Sequence, residues 1–305
     1  MFSFGIFGEI ILERILQSTG RTIYNMYSQG AGAIINIVLD PIMIFGLFGC
    51  PAMGISGAAA ATVIGQIVAM FLALYFNLKK NHDVSIDMRG FRPNARIIRI
   101  IYSVGLPSII MQSITSVMTY GMNLILISFS ATAVTVLGIY FKLQSFIFMP
   151  IFGLNNGMIP IIAYNYGSRS KKRIMDTAKL SIAIAIGIML LGLVIFQVFT
   201  PQLLMLFNAS DSLLEIGIPA LRTISLSFLF AGYCIITGSV FQALGNGVYS
   251  LIISVARQLL CILPLAYIFS HVWGLHAVWF AFPMAEIIST PVSYTHLTLP
   301  TKLEV

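Results

Sequence analysis

Charge is scarce in this chain. Only 9% of its 305 residues are Asp, Glu, Lys or Arg, against roughly 25% in soluble domains, which excludes a single water-soluble core. Cysteine is nearly absent as well. Cys50, Cys234 and Cys261 stand far apart in apolar settings, so they form no disulfide framework or metal motif and read as packing thiols. The opening Met1-Phe2-Ser3-Phe4-Gly5 lacks the basic stretch and cleavage site of a signal peptide and reads as an internal start. There is no His-Glu-x-x-His, no nucleophile elbow and no phosphate loop, and Asp40 has no second intramembrane Asp to form an acid pair, so no enzyme is expected.

What the chain has in quantity is apolar sequence, at 58%. Runs of about 20 apolar residues recur, each long enough to cross roughly 30 Å of hydrocarbon as a helix. They predict an all-α polytopic membrane protein of about nine transmembrane helices, near 1–17, 22–48, 55–78, 97–127, 132–158, 174–200, 214–243, 248–270 and 274–290. The excess of Lys and Arg, net +7, follows alternate connections. Arg14 and Arg21, then Lys79, Lys80, Arg89, Arg92, Arg96 and Arg99, then Arg169, Lys171, Lys172, Arg173 and Lys179 occupy one side; the connections between carry none. That pattern is a topology signal placing the basic loops in the cytoplasm, and it argues against nucleic acid as partner. The expected location is the bacterial inner membrane, with the lipid bilayer as partner.

Asp40 interrupts the run from Ile34 to Phe45, in the outer half of its helix. A carboxylate at the centre of a membrane helix costs roughly 2.5 to 3.5 kcal/mol on translocon scales, so it implies a cavity, a bundle interior or a cation. Asn36 lies one turn earlier on the same face, and Pro41 has no N–H to offer the carbonyl of Ile37. An amide, a carboxylate and a freed carbonyl suit a proton or a small hard cation.

Leu16-Gln17-Ser18-Thr19-Gly20-Arg21-Thr22-Ile23-Tyr24 is echoed by Phe241-Gln242-Ala243-Leu244-Gly245-Asn246-Gly247-Val248-Tyr249, with Gln, Gly and Tyr at a constant offset. An even number of spans separates the copies, which describes a parallel repeat about an axis along the membrane normal. With a six-helix unit, the chain would begin at helix four of the first. Residues 291–305 are too polar and Pro-broken to finish a span and read as a non-native tail.

Several further polar residues have two readings. Gln112, Ser116, Thr119 and Asn123 make one stripe at i, i+4, i+7 and i+11, either helix–helix hydrogen bonding or the lining of a wet cleft. Gly57, Ala61 and Gly65 form a small-residue row for close packing, beside the polar pair Thr62 and Gln66. Lys142 is about ten residues into its span, too deep for easy snorkelling, with a structural partner favoured over substrate contact. Arg257 and Glu286 fall at similar depth on opposite-running spans and are expected to form a structural ion pair. Met111, Met118, Met122, Met149 and Met158 are either filler or an adaptable wall.

The segments Asn36-Ile37-Val38-Leu39-Asp40-Pro41 and Gly54-Ile55-Ser56-Gly57-Ala58-Ala59-Ala60-Ala61-Thr62, with Gly153-Leu154-Asn155-Asn156-Gly157 and Tyr164-Asn165-Tyr166-Gly167, resemble helices five, six and eight of multidrug and toxic compound extrusion (MATE) transporters. The resemblance runs from about residue 1 to 290 and covers helices four to twelve of a two-lobed, twelve-helix fold. It implies 1–78 as the second half of the N-lobe, 79–96 as an inter-lobe loop and 97–290 as the C-lobe. It also implies a secondary active exporter of cationic or amphipathic drugs, driven by proton or sodium antiport, with no cofactor besides the coupling ion and working as a monomer. Asn36, Asp40 and Thr62 then carry over as ion ligands, with sodium as the candidate metal at Asp40. Gln112, Ser116, Thr119, Asn123 and Asn156 become substrate-cleft candidates. Gln112 stands where some relatives have an acidic residue, which weakens the case for a second ion site. The alternative within the same architecture is a flippase for lipid-linked oligosaccharides, whose anionic cargo would give Lys142 a role.

Overall fold

The computed structural model describes residues 4–84, 92–245 and 247–298. Arg89, Asn246 and the end of the tail lie outside these. The described residues form helices and their connections, with no strand among them. The chain divides into two units, residues 1–92 and 93–305.

The first unit contains α1 (Phe4–Ser18), α2 (Thr22–Phe45) and α3 (Ile55–Lys80). Helix α2 runs unbroken through Pro41 and ends where Gly46 turns left-handed and returns its N–H to the carbonyl of Ile42. Helix α3 buries Gly57, Ala61, Gly65, Ala69 and Ala73, one small residue per turn. That stripe lets the backbones of α2 and α3 meet: a Cβ at Gly65 would lie 2.8 Å from the carbonyl oxygen of Gly32. Two amides tie α1 to this pair. Asn25 Nδ2 donates to Glu13 O at 3.1 Å and Asn77 Nδ2 to Leu12 O at 2.9 Å.

The second unit contains α4 (Ala95–Ile127), α5 (Ala131–Gly167), α6 (Lys171–Val198), α7 (Thr200–Met205), α8 (Asp211–Ser225), α9 (Phe228–Ala243), α10 (Gly247–Val255), a π-helical turn at Ala256–Ile262, α11 (Leu263–Val272), α12 (Leu275–Val278) and α13 (Ala281–Thr298). Side-chain caps open two of the longest helices: Asn94 Oδ1 accepts from Arg96 N at 2.9 Å, and Ser130 Oγ accepts from Ala133 N at 3.1 Å. The core is built on period-four stripes. On α4 these are Ile114, Met118, Met122 and Leu126, and on α6 Ala178, Ala185, Met189 and Phe196 face inward. Phe228 stands edge-on to both Phe148 and Phe196.

Six helices among the described residues are long and apolar enough to cross a membrane, and the pair α8 and α9 adds a seventh if taken as one broken span. The count of nine is therefore not reproduced: α1 has 15 residues, and it and α13 fall outside the set. Other expected boundaries also move. The span expected at 214–243 bends by 49° between α8 and α9. Gln197 of α6 braces that break, donating to Arg222 O at 2.8 Å and Ser225 Oγ at 2.9 Å, so polar groups freed by the bend are satisfied inside the protein. The span expected at 248–270 contains the π turn. Helix α5 continues to Gly167, nine residues beyond the expected 158. Helix α13 passes through Pro291 to Thr298, since a proline removes one ladder bond without always ending a helix.

Candidate functional site

In the first unit, Asn36 and Asp40 stand one turn apart on α2, and Thr62 faces them from α3. The Asn36 amide nitrogen lies 3.2 Å from Asp40 Oδ1 and 3.3 Å from Thr62 Oγ1, donating to both. Thr62 passes its own hydroxyl proton back to Ala58 O at 2.9 Å. The three expected ion ligands thus form a chain across the α2–α3 contact, positioned by the Gly32–Gly65 approach one turn away. Asp40 and Asn36 are half-buried and Thr62 is exposed.

As arranged, the Asn36 amide supplies one N–H donor to the Asp40 carboxyl group. A proton would occupy the carboxylate directly. Sodium would need the Asn36 amide turned over to present its oxygen beside those of Asp40 and Thr62.

A cavity of about 370 Å³ opens beside this chain. Its polar wall is Glu9, Glu13, Gln29, Asn36, Thr62 and Gln66, and the rest is aliphatic. Glu9 and Glu13 were missed in the sequence reading. Their signal was present: two acids four residues apart on an otherwise apolar helix, one face of which must be covered. Glu13 is 5% exposed. Its Oε2 accepts from Gln29 Nε2 at 2.8 Å, while its Oε1 is buried without a hydrogen-bond partner.

In the second unit, the side chains of Gln112, Ser116 and Asn123 make no hydrogen bond among the described residues, and the Thr119 hydroxyl donates only to Thr115 O on its own helix, at 2.9 Å. Gln112 and Ser116 are exposed and Thr119 and Asn123 half-buried, on a face of α4 about 100° round the helix from the buried Met118 and Met122. Asn156 is half-buried, while its neighbour Asn155 is buried with an unpartnered Oδ1. Lys142 is exposed, with its ammonium 5.9 Å from the centre of the Phe207 ring. Arg257 Nη1 donates to Glu286 Oε1 at 3.0 Å. No cluster of three His, Cys, Asp or Glu side chains suited to a metal occurs among the described residues.

Comparison with known proteins gives concordant results. The MatE family model matches residues 107–268. The multidrug export protein MepA of Staphylococcus haemolyticus is 29% identical over 279 residues, covering 91% of this chain and 60% of the relative. The chain therefore spans about 60% of the length of such curated relatives. A crystal structure of a MATE protein in the bent conformation superposes with a TM-score of 0.88 at 28% identity, over 99% of this chain and 66% of the other. An outward-facing multidrug resistance MATE family transporter of the MOP superfamily also gives 0.88 at 28% identity, over 96% and 66%.

Proposed function

This chain belongs to the MatE family as a multi-pass protein of the bacterial inner membrane, and we propose that it works within a secondary active multidrug exporter coupled to proton or sodium entry. The observation that carries this reading is the Asn36 amide bridging Asp40 and Thr62 across the α2–α3 contact. An ion arriving at Asp40 competes with that amide for the carboxylate. Its binding therefore alters the bond holding α2 to α3, and a local charge event becomes a change in helix packing.

Multidrug export is what the MepA relatives are named for, and two features of this chain support extending it here. The stripe from Gln112 to Asn123 has no partner on another helix among the described residues, which favours the wet-cleft reading over helix packing. Lys142 sits against Phe207, a structural contact that gives the oligosaccharide-flippase reading no support.

The test is transport by the full chain in proteoliposomes under an imposed proton or sodium gradient, with the cationic dye ethidium as probe. Asp40→Asn removes the charge and keeps the shape; gradient-driven movement should stop while dye binding persists. Undiminished efflux by that variant would sink the assignment. Whichever gradient drives the unmodified protein identifies the ion.

A further inference from the structure

We propose that Glu13 is a second proton-transfer carboxylate, exchanging protons between the cavity that reaches Asn36 and Thr62 and the cytoplasmic ends of α1 and α2. The proposal rests on the exporter reading and extends it by supplying the coupling proton with a way out.

The first ground is the half-satisfied state of Glu13. At 5% exposure it has one donor, Gln29 Nε2, for two oxygens, and its Oε1 is both buried and unpartnered. A buried carboxylate oxygen left this way is costly, and a proton relieves the cost. Holding the helices together does not require the side chain to be charged. Asn25 and Asn77 already anchor α1 through the carbonyls of Glu13 and Leu12, and a glutamine at 13 could keep a bond to Gln29.

The second ground is continuity. Gln29, Asn36 and Asp40 follow i, i+7 and i+11 along one face of α2, so Glu13 and Asp40 stand at stations about 16 Å apart along the helix axis. That is too far for direct transfer. The cavity of about 370 Å³ touches Glu9, Glu13 and Gln29 at one end and Asn36 and Thr62 at the other, room for on the order of ten waters. Glu9 lines the same cavity one turn from Glu13, offering an intermediate acceptor.

The third ground is position. Glu13 lies near the C-terminal end of α1, and Asn25, which holds its carbonyl, lies in the first turn of α2. Between them is the connection marked as cytoplasmic by Arg14 and Arg21. Glu9 and Arg14 are the charges beside Glu13 on its own helix. From the start of α2 comes Arg21, already 3.3 Å from Asp83. Helix α3 contributes Lys79 and Lys80 only in its last turn, and its cavity-lining residues Thr62, Gly65, Gln66 and Ala69 are uncharged. In the step itself, the Glu13 O–H bond breaks as a water takes the proton, and the returning carboxylate is held by the Gln29 N–H.

The experiment compares Glu13→Gln, Asp40→Asn and the exchange Glu13→Gln/Gln29→Glu in the full chain, measuring proton-gradient-driven ethidium transport and equilibrium ethidium binding. Loss of a positioned proton-transfer group predicts a roughly hundred-fold fall in the driven rate for Glu13→Gln, with binding held within about two-fold. The exchange, which moves the carboxyl across the same hydrogen bond, should restore most of the rate. Infrared difference spectra over pH should lose one carboxyl band in Glu13→Gln and a different one in Asp40→Asn. Wild-type transport by Glu13→Gln, with Asp40→Asn inactive, overturns the proposal and leaves the exporter reading standing. So does a Glu13→Gln protein that melts early and is not rescued by the exchange, since that marks a structural side chain. If Asp40→Asn transports normally while Glu13→Gln does not, the Asp40 assignment fails instead.

Discussion

Arg257 and Glu286 meet at 3.0 Å between the π-helical turn and α13, with side chains only 20% and 11% exposed. Each is the other's opposite charge in a region where little else can play that part. Removing one should cost about 3 kcal/mol or more, because the survivor is left buried and unpaired. The double replacement Arg257→Met/Glu286→Leu should recover most of that loss. Thermal melts of the two singles and the double in detergent form the cycle, and simple additivity would show that the pair carries no coupling.

A second expectation concerns the polar face of α4. Cysteines at Ser116 and Thr119, in a background with Cys50 and Cys261 replaced by Ser, should react with a membrane-impermeant thiol reagent in at least one transport state. Cysteine at Met122, which is fully buried, should stay protected in all states. Leu124 would be a poor control despite its apolar neighbours, since it is 55% exposed. Equal protection at all three positions would return the stripe to a packing role.

The α2–α3 approach makes a third prediction. Gly65→Ala places a methyl group 2.8 Å from the carbonyl oxygen of Gly32, closer than such atoms can approach, so the helices must part and the Asn36–Thr62 bond must lengthen. Melting temperature and coupled transport should both fall. Gly30→Ala is the contrast, since nothing lies within 4 Å of its added Cβ; it should be neutral or stabilising by about 0.5–1 kcal/mol through helix propensity. Equal effects at both glycines would remove the steric argument.

At the bent span, Gln197→Leu withdraws the donor from Arg222 O and Ser225 Oγ. Arg222 O keeps its bond from Ser225 Oγ at 2.9 Å, so what is lost is the two donated bonds, about 0.5–1.5 kcal/mol each. The loss should appear as lower thermal stability and as faster amide exchange confined to residues near Leu226 and Ser227. Unchanged exchange there would mean the bend is held by packing alone.

Legibility in the sequence followed the range of the physics. The Asn36–Asp40 relation is an i, i+4 spacing, and the row Gly57, Ala61, Gly65 is a period-four stripe; both are local and could be read in advance, while the spacing did not name α2 as the helix that the row packs against. Arg257 and Glu286 were paired on depth alone, which works because few charges share that depth. Glu9 and Glu13 went unread because their helix is short and their partners, Gln29 and the cavity, belong to other helices. The bend near Leu226 and the π turn at 256–262 have no composition signal of their own. They depend on Gln197 and on the packing around α13, and apolar run length cannot see either.

The π turn also decides where this span can change length. Its wider winding takes up one residue more than an α-helix of the same rise, so the span can gain or lose a residue there while α10 and α11 each keep their own neighbours. Leu263, the first residue past it, lies against Gly121 of α4. Deleting one residue within the turn would return it to α-helical winding with α10 and α11 still facing their neighbours, whereas a one-residue deletion in the regular helix on either side would rotate the flanks by about 100° relative to one another. The turn is therefore the point in this span where a change of length disturbs packing least.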